Sequence, residues 1–265
     1  MKNMATKEQI EHLIKLLTEI SNQPGNEWVK HRINPELEEP LGAELSQIYE
    51  YCIKNIAKEQ AEKFYENFKI IEIRQTLIAD FIRMETFRRN DNFEDFCLAA
   101  FQQIESITNH LAKQAELKIY IQNNRFLNPF KYYDKNRSTY VRKSTDQNIG
   151  KLIFAKNEED YVSENLDKDP LKWFFTHRFR AVLFYYHFNL ELGSNSEKYE
   201  SIYELGNYLY QARNLNHRSG EKNKYQDDIL NQILPNKYNY YYKFMGFIEE
   251  FSAKINQNLI AHTNF

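Results

Sequence analysis

Between Phe93 and Leu111 an apolar residue recurs at alternating steps of four and three: Phe93, Cys97, Ala100, Ile104, Ile107 and Leu111. A strand would need a period of two, so only an α-helix gathers these six side chains onto one face. Asn90-Asp91-Asn92 punctuates the chain just before this run and supplies an N-cap. The stripe predicts a helix continuing to about Ile121. The same period recurs through most of the chain, and the turn formers that would interrupt it are scarce, with seven Gly and six Pro in 265 residues. The fold class read from this pattern is all-α, a helical bundle.

Residues 6–21 carry Ile10, Leu13, Ile14 and Leu17 at helical spacing, with Thr6 placed to cap. After breaks at Asn22–Asn26 and Asn34–Pro40, helices are predicted from about Leu41 to Phe68 and from Ile70 to Arg88. From Asn124 to about Asp169 the helical period gives way to Asn, Lys, Tyr, Asp and Ser. A structureless stretch of that length is unusual in a compact domain. It is either a small β excursion, with Leu152-Ile-Phe-Ala155 as its strand, or a functional insertion. Helical pattern resumes at Asp169-Pro170, an N-cap and N1 pair, and reaches Leu192. Further helices are predicted over Ser196–Leu215 and, after a polar stretch, Lys237–Leu259. The expected organisation is a helical extension over 1–69 followed by a helical domain over 70–265, interrupted at about 124–169.

The net charge of −2 argues against a general nucleic-acid coat but leaves room for local patches. The two cysteines, Cys52 and Cys97, sit inside apolar helical patterns and read as reduced core residues. No zinc spacing exists, no apolar run reaches the roughly 18 residues of a spanning helix, and the start has no signal core. These features predict a cytoplasmic protein with no membrane segment, no metal and no cofactor. There is no Gly-rich phosphate loop and no Ser–His–Asp pattern.

Chemistry concentrates at the end of the 196–215 helix, in Gln211-Ala-Arg-Asn-Leu-Asn-His-Arg-Ser-Gly220. Tyr199, Ile202, Tyr203, Gly206, Leu209 and Tyr210 share one face, and Arg213 continues it, with His217 one turn further if the helix persists. Arginine offers a permanently charged planar fork suited to phosphate. Histidine both takes and gives a proton near neutrality. Together they are the minimum equipment for cleaving RNA without a metal. The more ordinary alternative pairs Arg213 with a buried Glu and leaves His217 capping the helix C-terminus.

Arg213-Asn214-Leu215-Asn216-His217 resembles the motif of HEPN domains, small all-α bundles of which many are metal-independent RNases. The helix from Phe93 adds to the resemblance with Glu105 and Asn109 one turn apart, since an acidic residue on an early helix often faces the motif arginine. The likeness covers about residues 70–265. It departs in spacing, with three residues between arginine and histidine where four or more are usual. The resemblance implies that Arg213 stabilises charge developing on a phosphate and that His217 acts on the ribose 2′-hydroxyl or the leaving 5′-oxygen. It further implies that Asn214 orients phosphate or histidine, that Glu105 holds Arg213, and that two motifs meet in a homodimer. A toxin or anti-phage role is what many members perform. An inert RNA-binding or dimerisation module of the same fold is the alternative. A DNA-binding regulator lacks support from any helix-turn-helix signal.

RNA as partner is also suggested by residues 125–156, where eight basic residues face only Asp134 and Asp146, an excess of six. Arg137, Arg142 and Lys143 would follow a phosphate backbone and Tyr132 and Tyr133 would stack on bases, with Arg218 adding charge beside the motif. A solvated loop with its aromatics folded inward is the competing reading. A second basic, tyrosine-rich stretch, Lys237-Tyr-Asn-Tyr-Tyr-Tyr-Lys243, opens the last helix.

Overall fold

The computed structural model describes residues 7–24, 26, 45–134, 139–141, 147–155, 158–192, 196–213 and 224–262. The chain is all-α, and it divides into a unit over 1–62 and a larger unit over 63–265. In the first unit, helix α1 (Lys7–Ser21) buries Ile10 and Ile14 and leaves Leu13, Leu16 and Ile20 exposed. Thr6, the expected cap, lies outside the described residues. Helix α2 (Leu45–Tyr65) buries Ile53, Ala57 and Ala61 at helical spacing, and its last turn belongs to the second unit.

The second unit is organised by α3 (Ile71–Arg89) and α4 (Phe93–Ala112), which pack along their length. The turn between them is sharp for a local reason. Asp91 adopts a left-handed conformation (φ 53°), while its N–H and that of Asn92 return to the carbonyls of Arg88 and Phe87 at 3.2 and 2.9 Å. This pattern of bonds closes a helix C-terminus, normally around a glycine. Asn92 then caps α4, its side-chain oxygen accepting from the Asp95 N–H at 3.2 Å, as the punctuation predicted.

Helix α4 is the core helix, with twelve of its residues buried, including the whole Phe93–Leu111 stripe. It does not continue to Ile121. A break at Lys113–Gln114 starts a separate helix α5 (Ala115–Asn124). Buried polar groups along the core are matched: Tyr65 Oη donates to Gln103 Oε1 at 2.8 Å, and Gln103 Nε2 reaches Met84 Sδ at 3.3 Å. The Glu85 carboxylate is buried and takes two 2.9 Å bonds from Arg88, with Arg89 3.4 Å away.

The 124–169 insertion is more helical than its composition suggested. Strands β1 (Tyr132–Asp134) and β2 (Thr139–Val141) form a three-residue antiparallel ladder with Tyr133 opposite Tyr140, and extended pairing among the described residues ends there. The apolar run expected as a strand is helix α6 (Ile149–Phe154), closed by Ala155 at φ 53°. Asn148 decides this: its side-chain oxygen accepts from the Lys151 N–H at 2.9 Å, starting a turn that buries Ile149, Ile153 and Phe154 together. Helix α7 (Glu159–Asp167) follows.

Asp169 caps as expected, accepting from the Leu171 N–H at 2.8 Å, but it opens only a 3₁₀ turn, Pro170–Lys172. The predicted 170–192 helix is thus shorter: α8 (Phe175–Val182) runs into a π-turn, Leu183–His187. Asn258 Nδ2 donates to the carbonyls of Tyr186 and His187, at 2.8 Å each, satisfying the end of that turn. Helix α9 covers Ser196–Ala212, and residues 214–215 of the predicted helix lie outside the described residues. The polar stretch after it contains an unpredicted helix, α10 (Lys224–Ile233), which buries Ile229, Leu230 and Ile233. A 3₁₀ turn, Leu234–Asn236, leads to α11 (Lys237–His262). Among the described residues no helix is long and apolar enough to cross a membrane.

Aromatic rings fill the interior. Phe179 stacks on Phe175 and meets Phe247 and Phe251, while Phe96 and Phe93 close on Tyr241. Two histidines join this packing. His177 lies against Phe154 and Phe174, and His187 stacks on Phe251. Burial holds both imidazoles down to about 4. The unfolded chain therefore binds more protons than the folded one between about pH 6.5 and 4. Their contribution is full above pH 6.5 and drains away as pH falls toward 4. For His187 alone the shift corresponds to roughly 3 kcal/mol. Urea unfolding midpoints should fall steeply over this window, and His187→Phe, which keeps the stack, should flatten the fall. An unchanged pH slope in that variant would remove the assignment.

Candidate functional site

Arg213 stands at the C-terminal end of α9, its N–H still bonded to the Leu209 carbonyl at 3.0 Å. That position favours a cation, because unpaired helix carbonyls face outward there. Its guanidinium carbon lies 4.1 Å from the ring centre of Phe101 and 4.2 Å from that of Tyr210. Phe101 comes from α4 and Tyr210 from one turn back on α9. One turn beyond Phe101, Glu105 brings a carboxylate oxygen to 3.7 Å from Arg213 Nη1. Helical spacing on two packed helices thus supplies both the aromatic bed and the counter-charge.

A second cation lies within reach of the Glu105 charge. Arg178 of α8 donates through Nη1 to the carbonyls of Leu171 and Trp173, at 2.8 and 2.6 Å. Burial lowers its affinity for the proton, and the negative charge of Glu105 works against that. The Arg213 side chain retains 21% of its exposure and Glu105 35%, so the pair opens to solvent rather than lying in the core. Asn109, one turn beyond Glu105, has a buried side-chain oxygen with no hydrogen-bond partner among the described residues.

Of the residues singled out from sequence, Arg213 and Glu105 are brought together. Asn214, His217 and Arg218 lie outside the described residues, as do Arg137, Arg142 and Lys143. Tyr132 and Tyr133 are placed on β1. Phe101 escaped the sequence reading because it flanks the α4 stripe and looks like one more core aromatic. The signal was its four-residue spacing to Glu105. Arg180, on the same helix as Arg178, lies over the Tyr203 ring at 4.1 Å, in helix packing.

His110, on the same helix as Glu105, is half-buried. Burial lowers its pKa, only partly countered by Glu72, and its ring nitrogen lies 3.4 Å from Gln114 Nε2. Among the described residues no three His, Cys, Asp or Glu side chains are grouped as a metal ion would need. No protein-family profile, no curated protein and no solved structure matches the chain.

Proposed function

We propose that this protein is a HEPN-like, metal-independent endoribonuclease, working as a homodimer in a toxin or anti-phage role, with Arg213 and His217 as its catalytic pair. The observation that carries the reading is the Arg213–Glu105 ion pair. It joins the motif arginine to an acidic residue of an early helix, the pairing the resemblance implied. In this reading the guanidinium meets charge developing on the scissile phosphate. His217 moves the proton of the 2′-hydroxyl or of the leaving oxygen, a role typically worth about 10²- to 10⁴-fold. Asn214 orients one of the two. Glu105 is a positioning residue that aims the guanidinium.

The two ring contacts of Arg213 favour one alternative, an inert RNA-binding or dimerisation module in which the arginine serves packing alone. RNA cleavage in EDTA separates them. The wild type should cut, and His217→Ala and Arg213→Ala should cut at about a hundredth of its rate or less. Equal activity in all three, or none in the wild type, would overturn the enzyme reading. Glu105→Gln keeps a hydrogen-bond acceptor but drops the charge. It is expected to lower kcat about tenfold with little change in KM, the pattern of a lost transition-state contact. An unchanged kcat would show that Glu105 has no part in aiming Arg213.

A further inference from the structure

The tyrosine-rich opening of α11 has no role in the reading above, and its side chains divide sharply. Tyr240 and Tyr241 are buried, while Tyr238 and Tyr242, one turn apart, are 64% and 65% exposed. Such exposure is high for a ring of this size. The two rings border a cleft of about 270 Å³ lined by Arg88, Asp91, Tyr238, Tyr241 and Tyr242. Its size is below the roughly 300–1,000 Å³ of pockets for drug-sized ligands, and suits a single planar ring system.

The walls are fixed. The Asp91 carboxylate accepts from Lys237 Nζ at 2.8 Å and from the Tyr238 and Tyr241 hydroxyls at 3.3 Å each. Lys237 Nζ also lies 5.0 Å from the Tyr238 ring centre. Asp91 occupies a left-handed position where glycine would be less strained, and what it contributes there is this carboxylate. Arg88 is set by its two bonds to Glu85. Arg88 and Arg89 share the buried Glu85 carboxylate and Lys237 pairs with Asp91, so these groups together carry one net positive charge.

We propose that this cleft takes an unpaired base of a single-stranded nucleic acid, stacked on Tyr238 or Tyr242 with its phosphate toward Arg88 and Lys237. Aromatic faces bind any base, and cations follow the backbone. A sugar would also lie on exposed tyrosines, but the net positive charge beside the rings favours an anionic strand. The proposal does not rest on the Arg213 reading, since stacking needs no 2′-hydroxyl.

The test uses the full chain and two labelled 8-nucleotide strands, one DNA and one 2′-O-methyl RNA, neither of which offers the cleavage nucleophile. Fluorescence anisotropy should show both binding. Tyr238→Ala and Tyr242→Ala should each weaken binding about tenfold, while Tyr238→Phe and Tyr242→Phe, which keep the ring, stay within twofold. Lys237→Gln should reduce the salt dependence by about one phosphate contact. No binding by the wild type would overturn the proposal and leave this face to a protein partner. Alanine variants within twofold of wild type, phenylalanine variants as weak as alanine ones, or an unchanged salt slope would equally overturn it.

Discussion

Gly206→Val is expected to destabilise the protein by about 3 kcal/mol or more, at the upper end of overpacking effects. A Cβ at this position would lie 2.3 and 2.6 Å from two atoms of the Phe179 ring. The ring cannot retreat cheaply. Phe179 has no exposed surface and is bounded by Phe175, Tyr203, Phe247 and Phe251. Two effects compete for alanine at the same site. A glycine inside a helix gives up roughly 1 kcal/mol relative to alanine, so Gly206→Ala recovers that amount and then loses more to the clash. The ordering wild type, alanine, valine in urea midpoint is the check. An alanine variant as stable as wild type would mean that α9 sits further from α8 than described.

Arg213→Ala is expected to reduce RNA cleavage about 10²- to 10³-fold, equivalent to some 3–4 kcal/mol of transition-state stabilisation. The same substitution should cost the fold less. A partly exposed ion pair is worth about 1 kcal/mol or below, and a cation over one buried ring, Phe101, and one half-buried ring, Tyr210, about 1–2 kcal/mol. A kinetic loss larger than the stability loss is therefore the signature of function rather than packing. Arg213→Lys sharpens it. Lysine keeps the charge but loses the planar fork, so it should restore stability more fully than rate. Parallel losses of rate and stability in both variants would assign Arg213 to packing instead.

The legible parts of this chain were those where one local rule acts without competition. The α4 stripe, the Asn92 cap and the inward face of α9 were read directly, because period and cap chemistry need no tertiary context. Lengths were read less well. The break at Lys113–Gln114 carries neither glycine nor proline, and nothing in the apolar period between Leu111 and Leu117 announces it. Leu152–Ala155 looked like a strand because four apolar residues have no period of their own. Asn148, four residues earlier, settled the matter with a single hydrogen bond.

At the site, Glu105 could be paired with Arg213 on sequence because helical spacing and a family resemblance both pointed there. Arg178 was visible only as charge on an aromatic helix. That it feels the Glu105 charge depends on how α8 packs beside α4 and α9, which no local pattern encodes. The α11 tyrosines show the same limit. Their number marked them as unusual, but the division into buried and exposed pairs came from the packing of that helix on Phe93 and Phe96.

The central claim is that the Arg213–His217 run cleaves RNA through its own 2′-hydroxyl. The most direct measurement offers the wild-type protein, in EDTA, an RNA strand beside the same strand with single 2′-deoxy substitutions at each cut site. The account predicts fragments ending in 2′,3′-cyclic phosphate from the RNA, with cleavage lost at each substituted position and slowed about a hundredfold or more throughout in His217→Ala. Cleavage that persists at deoxy positions, or that proceeds unslowed in His217→Ala, would contradict it.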